Sequence, residues 1–120
     1  MKVFLVEDSA AIRDHVRATV SEVAGAEVVA EAETESAAIE GICRTRPDAV
    51  ILDLTLPRGS GIEVLRCTKQ LLPDVRFIIL TNKADLQYRK KCMALGADYF
   101  LDKSREFGSL GRHLRDLSDG

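Results

Sequence analysis

Two kinds of hydrophobic pattern alternate along the chain. Short runs that are apolar at nearly every position, rich in Val, Ile, Leu and Phe, are typical of strands covered on both faces. The five runs of this kind are Lys2–Val6, Ala26–Ala32, Ala49–Leu52, Arg76–Leu80 and Asp98–Leu101. We therefore predict five strands of a buried sheet.

A segment with helical spacing of its apolar residues follows each run. Ser9 and Thr34 are suited to cap the first two helices, Pro47 and Pro73 to end the second and third, and Gly96 to end the fourth. The five stripes are Ile12, Val16, Val20 and Val23; Ala38, Ile39, Ile42 and Cys43; Ile62, Leu65, Thr68 and Leu72; Leu86, Met93 and Leu95; and Phe107, Leu110, Leu114 and Leu117. This alternation predicts an α/β fold, a doubly wound parallel sheet with helices on both faces.

Polar side chains follow four of the five predicted strands. Glu7 and Asp8 follow the first, Asp53 the third, Thr81 the fourth and Lys103 the fifth. Ligands of such sheets bind beyond the carboxyl ends of the strands, so we expect these side chains to lie close together. Any one of them alone would be read as an ordinary cap or turn residue. Their joint placement at one edge favours a functional site.

The expected cluster has a specific chemistry. Two carboxylates ~4 Å apart repel by about 4 kcal/mol at an effective dielectric constant of ~20, so a proton, Lys103 or a bound cation must offset the repulsion. Carboxylates with water and a backbone carbonyl suit Mg²⁺. A metal, a lysine and a hydroxyl are the groups that stabilise phosphoryl transfer, and a carboxylate such as Asp53 can be the nucleophile.

Composition narrows the class of protein. The chain has 120 residues, which predicts one domain over residues 1–120. Its 17 basic and 19 acidic residues give a formal charge of -2, which offers no support for binding nucleic acid or a membrane. Three scattered cysteines form neither a disulfide framework nor a zinc site. The N-terminal MKVFLVEDS lacks the pattern of a signal peptide, so we expect a cytoplasmic protein.

Four motifs together resemble a known family. They are VEDS after the first strand, LDLTLPRGSG after the third, ILTN after the fourth and GADYFLDKS around the fifth. In order and spacing the chain resembles the receiver domain of bacterial two-component response regulators over essentially its whole length. The resemblance implies a five-stranded sheet of flavodoxin-like order 2-1-3-4-5 with five helices.

The resemblance also implies roles for individual residues. Asp53 would be the phospho-acceptor, and Asp8 and Asp53 would ligate Mg²⁺ directly. Glu7 would act through a metal-bound water, and Thr55 would offer its backbone carbonyl. Gly61 stands where the family keeps a glycine.

A second group of residues would read out the phosphoryl group. Lys103 would sense it, Thr81 would be the switch hydroxyl, and Phe100 the switch aromatic. Output would pass through the face made by Leu86–Leu95, the fifth strand and Ser104–Leu117. The implied partners are a sensor histidine kinase or a phosphotransfer protein upstream, and a separate protein or a fused output domain downstream, with no direct contact to nucleic acid.

The chain departs from the family pattern after two of these residues. Asn82 follows Thr81 where Ala or Gly is usual, and Ser104 follows Lys103 where Pro is usual. The Lys103–Ser104 bond is therefore expected to be trans. Asn82 leaves open a pseudo-receiver, a protein-binding module that is not phosphorylated. An aspartate-dependent phosphatase is disfavoured because Thr55 replaces the second acid, and no GxxxxGK[ST] motif of a P-loop nucleotidase occurs.

Overall fold

A computed structural model describes residues 1–119 of the chain. Five strands and five α-helices alternate, and one 3₁₀ turn, Phe107–Ser109, precedes the last helix. The elements are β1 Lys2–Val6, α1 Ala10–Ser21, β2 Glu27–Ala32, α2 Glu35–Thr45, β3 Ala49–Leu52, α3 Gly61–Leu71, β4 Arg76–Thr81, α4 Leu86–Ala94, β5 Tyr99–Asp102 and α5 Leu110–Asp119. The predicted α/β alternation is confirmed.

All strand pairs are parallel, and the strand order is β2-β1-β3-β4-β5. The order reverses between β1 and β3, so the carboxyl ends of these two neighbouring strands flank the crevice where ligands of such folds bind. The order 2-1-3-4-5 implied by the family resemblance is therefore confirmed.

Two hydrophobic layers cover the sheet. On one face, α1 and α5 pack on side chains such as Leu5 and Ile51. On the other face, α2, α3 and α4 pack on side chains such as Phe4 and Phe77. Because successive side chains alternate between these layers, β1, β3 and β4 are buried at almost every position, which explains their continuous apolar runs. β2, at the edge of the sheet, is mostly half-buried.

Three predicted strands had boundaries that were wrong by one residue. Ala26 lies just before β2, β4 extends to Thr81, and β5 runs from Tyr99 to Asp102 rather than from Asp98 to Leu101. Thr81 pairs with Asp102 at the end of the β4–β5 ladder. The partner strand, rather than hydrophobicity, thus sets where these strands end.

Local signals place the helix ends. The side chains of Ser9 and Thr34 accept hydrogen bonds from the backbone amides of Ile12 and Ala37, as N-caps do. Gly96 has a φ of +103°, directly after the cap residue Leu95 of α4. A left-handed glycine at this place ends many helices. Among residues 1–119, no helix is both long and apolar enough to cross a membrane.

Candidate functional site

The carboxyl edge of the sheet holds an open cavity of about 610 Å³. Its walls include Glu7 and Asp8 after β1, Asp53 after β3, Asn82 after β4 and Lys103 after β5. The parallel sheet places these strand ends side by side. The predicted acids and the lysine are therefore brought together.

Lys103 joins two of the acids. Its ammonium donates hydrogen bonds to Glu7 Oε1 at 2.7 Å and to Asp53 Oδ2 at 2.9 Å. The exposed fractions of the three side chains are 10% for Lys103, 3% for Glu7 and 7% for Asp53. Such shielded ion pairs interact more strongly than surface pairs, and loss of one partner leaves a buried charge uncompensated.

Burial and neighbouring charges shift two of these groups. Burial raises the pKa of Glu7 above its usual value, despite the opposing effects of Lys103 and of the Ser9 amide. Burial tends to lower the pKa of Lys103, but hydrogen bonds from its ammonium to Glu7 and Asp53 outweigh this and raise it. Lys103 therefore stays cationic, while burial makes the Glu7 carboxyl harder to ionise than one in water.

The acidic cluster fits a cation. Glu7, Asp8 and Asp53 each present a carboxylate oxygen, and these oxygens lie within 4.8 Å of one another. Asp8 is exposed and the other two acids are buried, so the cluster extends from the protein interior to the solvent-exposed side of the cavity. Carboxylates that open toward solvent are ligands of a hard divalent cation that keeps some of its water.

The loop after β3 folds back on Asp53. The backbone amide of Thr55 donates to Asp53 Oδ1 at 3.1 Å. Gly61 begins α3 directly against the strand end, where a Cβ atom would collide with the backbone oxygen of Asp53 and lie 2.6 Å from the Cα of Leu54. The structure thus gives a physical reason for the glycine at position 61.

Thr81 lies at the strand end but not in the hydrogen-bond network of the acids. It is fully buried, and its hydroxyl accepts a hydrogen bond from the Lys83 amide at 3.1 Å. Within residues 1–119 it makes no hydrogen bond to Asp53. Its backbone carbonyl accepts from the Lys103 amide at 2.9 Å, which ties it to the segment that carries the lysine.

Phe100 lies inside the fold. It is 3% exposed and packs in the layer of α2, α3 and α4, whereas Tyr99 packs in the opposite layer. Arg89 of α4 covers it, with the guanidinium carbon 4.9 Å from the ring centroid and Nη1 donating to the Phe100 carbonyl at 3.2 Å. Sequence reasoning missed this contact, because Arg89 stands in the basic run Arg89–Lys91 that is typical of a solvated helix face.

Asp102 and Ser104 form a tight turn around Lys103. Asp102 Oδ1 accepts from the Ser104 amide at 2.9 Å and from its hydroxyl at 2.8 Å. These hydrogen bonds lower the pKa of Asp102. The Lys103–Ser104 peptide bond is trans, as expected. An aspartate two residues before a serine was the available signal for this turn.

Arg13 holds the backbone at Glu7 and was not singled out from the sequence. Its Nη1 donates to the Glu7 carbonyl at 3.0 Å and to Glu33 Oε1 at 2.6 Å. Arg13 thus links α1 to the ends of β1 and β2. An arginine on the first turn of a helix carries no periodic signal that distinguishes this role from a solvated one.

Comparisons with known proteins identify the family of the chain. A model of the family described as response regulator receiver domain matches residues 3–115. A protein-glutamate methylesterase/protein-glutamine glutaminase of Treponema pallidum is 32% identical over 118 residues, which are 97% of this chain and 29% of that protein. The DNA-binding transcriptional activator DevR/DosR of Mycobacterium tuberculosis is 31% identical over 100% of this chain and 55% of its own length. The chain therefore spans 29% to 55% of these relatives.

Solved structures give the same result. A two-component response regulator of the LuxR family from an Aurantimonas species has a TM-score of 0.90 and 30% identity, covering 98% of this chain and 85% of that one. The response regulator domain of Thermotoga maritima CheB has a TM-score of 0.87 at 21% identity, covers 99% and 94% of the two chains, and supports the fold alone. The chain therefore belongs to the response regulator receiver domain family of two-component systems.

Proposed function

We propose that this chain is a phosphorylation-activated switch that accepts a phosphoryl group on Asp53 in a Mg²⁺-dependent reaction. The proposal depends on one observation. The Lys103 ammonium donates hydrogen bonds to both Asp53, at 2.9 Å, and Glu7, at 2.7 Å, and these two acids form with Asp8 a cluster that could hold a cation. Such a site combines a carboxylate nucleophile with positive charge for phosphoryl oxygens.

The acceptor step uses groups that are already close together. A carboxylate oxygen of Asp53 attacks the phosphorus of a phosphohistidine on the partner. An O–P bond forms, the N–P bond breaks, and its electron pair stays on the partner's imidazole. Lys103, already bonded to Asp53, is placed to donate to an oxygen of the incoming group. Mg²⁺ held by Asp8, Asp53, the Thr55 carbonyl and, through water, Glu7 would supply further positive charge.

Thr81 and Phe100 would read out the modification. The phosphorylated side chain would carry roughly 1.5–2 negative charges and three acceptor oxygens. The Thr81 hydroxyl, which now accepts from the Lys83 amide, would turn to donate to one of these oxygens. Phe100 already lies inward. Phosphorylation would therefore favour that position over an outward one and shift a population.

The output face would comprise Leu86–Leu95, β5 and Ser104–Leu117. Two large apolar side chains of α4 are exposed there, Leu86 at 62% and Met93 at 44%. Receiver domains pair with histidine kinases and output domains. For this chain we propose a sensor histidine kinase or phosphotransfer protein as donor, and a separate protein or fused domain as recipient, without direct nucleic-acid binding. We also propose a cytoplasmic location, because the donor would receive its phosphoryl group from ATP there.

The proposal assigns no turnover of an external substrate. Asp53 is both the nucleophile and the modified residue, so the chemistry is limited to self-phosphorylation and self-dephosphorylation. The fused methylesterase of the Treponema relative lies outside the matched part of that protein, because this chain spans 29% of it.

A pseudo-receiver is the second candidate, and Asn82 favours it. Asn82 is exposed and lines the cavity, where its side chain would crowd an incoming phosphoryl group. In that case the chain would bind a partner without being modified.

Intact-mass spectrometry after incubation with a small-molecule phosphodonor tests the proposal. With Mg²⁺ we expect a gain of one phosphoryl mass, which disappears with a chelator or in Asp53→Asn. Asp98→Asn, at the opposite edge of the sheet, is the matched control and should keep the gain. A gain that persists in Asp53→Asn would contradict the acceptor assignment, and no gain in any sample would favour the pseudo-receiver and make Asn82→Ala the next variant.

A further inference from the structure

Helix α2 begins against the loop that follows β3. The backbone amide of Glu35 donates to the Arg58 carbonyl at 3.0 Å. The Glu35 carboxylate returns a second contact, because its Oε1 accepts a hydrogen bond from the Ser60 amide at 2.9 Å. Glu35 therefore joins two elements that are 25 residues apart in sequence.

Ser60 is the point at which this loop turns into α3. Its hydroxyl accepts from the Ile62 amide at 3.1 Å and caps the helix. Ser60 also lies opposite Thr55 as an isolated antiparallel pair, next to a hydrogen bond of 3.0 Å from the Gly61 amide to the Leu54 carbonyl. The position of Ser60 therefore fixes the position of Thr55 across the loop.

Gly59 shows how closely the loop fits Glu35. Its φ is +91°, and an added Cβ would collide with the Glu35 Cβ and lie 2.6 Å from Glu35 Oε1. Only a residue without a side chain leaves room for this approach in this conformation. The contact between Glu35 and the loop is thus a close fit of backbone and carboxylate.

We infer that Glu35 is a positioning residue for the cation site: through Ser60 it holds Thr55 where the Thr55 backbone carbonyl can ligate Mg²⁺. The inference rests on the proposed function, in which that carbonyl is a ligand. Thr55 itself is exposed and its amide is bonded to Asp53. Among residues 1–119, Glu35 is the one side chain of another helix that hydrogen-bonds Ser60. Without this contact, the loop loses that support.

A purely structural role of Glu35 has a different signature. A carboxylate in the first turn of a helix also stabilises that helix through its dipole. Glutamine separates the two roles, because it keeps an oxygen acceptor for the Ser60 amide but has no charge. Glu40, an exposed residue of the same helix that pairs with Arg44 at 3.7 Å, provides the matched control.

The experiment is a Mg²⁺ titration of the whole chain, followed by amide NMR because the sequence has no tryptophan. Wild type, Glu35→Ala, Glu35→Gln and Glu40→Ala are compared, and thermal unfolding of each is recorded. We expect Glu35→Ala to bind Mg²⁺ about three- to tenfold more weakly, the range given by loss of one ordinary hydrogen bond. Glu35→Gln and Glu40→Ala should stay within about twofold of wild type.

Gly59→Ala gives a second test that leaves Glu35 in place. It should weaken Mg²⁺ binding as Glu35→Ala does, because the added Cβ pushes Glu35 away from the loop. Gly25→Ala is its control, since Gly25 also has a positive φ, +78°, but open space around it. Gly25→Ala should lower stability without changing the Mg²⁺ affinity.

The outcomes separate this inference from the proposed function. If wild type binds Mg²⁺ and takes up phosphate while Glu35→Ala matches Glu40→Ala in affinity, the positioning role is wrong and the proposed function stands. If Glu35→Gln loses as much affinity as Glu35→Ala, charge rather than the hydrogen bond is responsible, and the inference also fails. If wild type itself binds no Mg²⁺, the proposed function fails first.

Discussion

The two edges of the sheet both carry acids beside a cavity, but they use them differently. At the amino edge, where the strands begin, the Asp48 carboxylate accepts a hydrogen bond from the Lys2 amide at 2.7 Å. Asp98 accepts the Phe77 amide at 2.8 Å and pairs with Arg76 at 2.9 Å. Each of these acids thus completes the hydrogen bonding of a strand start, and the charge of Asp98 is paired with Arg76.

At the carboxyl edge the acids face one another. Glu7 and Asp53 share the single ammonium of Lys103, and Asp8 adds a third carboxylate. The cavity at this edge, about 610 Å³, is smaller than the one of about 730 Å³ at the amino edge. Cavity size therefore does not identify the functional edge, whereas an excess of buried negative charge does.

The largest difference between the two edges is expected when Lys103 at the carboxyl edge and Arg76 at the amino edge are each replaced. Without Mg²⁺, Lys103→Met should lower the free energy of unfolding by about 3–5 kcal/mol, because it leaves two buried carboxylates uncompensated. Arg76→Met should cost at most about 1 kcal/mol, since the Arg76 side chain is 46% exposed. Denaturant unfolding measures both.

The same pair of variants separates the edges in chemistry. Phosphorylation of Lys103→Met by a small-molecule donor should be about 10²-fold slower, as for loss of one preorganised donor to a developing charge. Arg76→Met should react at the wild-type rate. Equal costs of the two variants in both stability and rate would remove the distinction between the edges.

Cys92 shows what burial does to an acid that has no partner. Burial alone raises the pKa of its thiol from 9.0 to about 11. The stability that this shift contributes is fully present below about pH 9 and is lost as pH rises through about 11, a loss of about 2–3 kcal/mol. Denaturant unfolding measured from about pH 8 to about pH 11 should show the free energy of unfolding falling as the pH rises.

Cys92→Ala is the control for the thiol. The variant lacks the ionising group, so its stability should fall less steeply over the same alkaline range, whatever its cost at neutral pH. A slope identical to that of wild type would mean that Cys92 is not shielded from water.

Gly61 tests how tightly the carboxyl edge is built. Gly61→Ala should cost about 1–3 kcal/mol, since the added Cβ meets backbone of Asp53 and Leu54 rather than a flexible side chain. Gly108→Ala, with nothing within 4 Å of the added atom, should be neutral or stabilising by up to about 1 kcal/mol. Thermal unfolding compares them. Equal melting temperatures would show that the loop after β3 yields easily.

Apolar runs and helix periods are local properties, and the sequence predicts them. The runs after which Glu7, Asp53 and Lys103 follow are apolar because both faces of each strand are covered, so their edge could be inferred. Boundaries such as the end of β4 at Thr81 depend on pairing with Asp102 and were missed.

Contacts between distant elements leave no periodic trace. Two such contacts depend on how α2 and α4 pack against the sheet: the Glu35–Ser60 hydrogen bond and the contact of Arg89 with the Phe100 ring. A glutamate in a first turn and an arginine in a basic run look like solvated residues in the sequence. Such side chains hold the site in place, and only the packed structure reveals them.

The decisive measurement locates the residue that becomes phosphorylated. The chain is incubated with a small-molecule phosphodonor and Mg²⁺, reduced with borohydride so that an acyl phosphate becomes an alcohol, and mapped by tandem mass spectrometry. We expect homoserine in place of Asp53, and unmodified aspartate at Asp8, Asp48 and Asp98. Homoserine at Asp8, or at either of the amino-edge acids, with Asp53 intact would contradict this expectation.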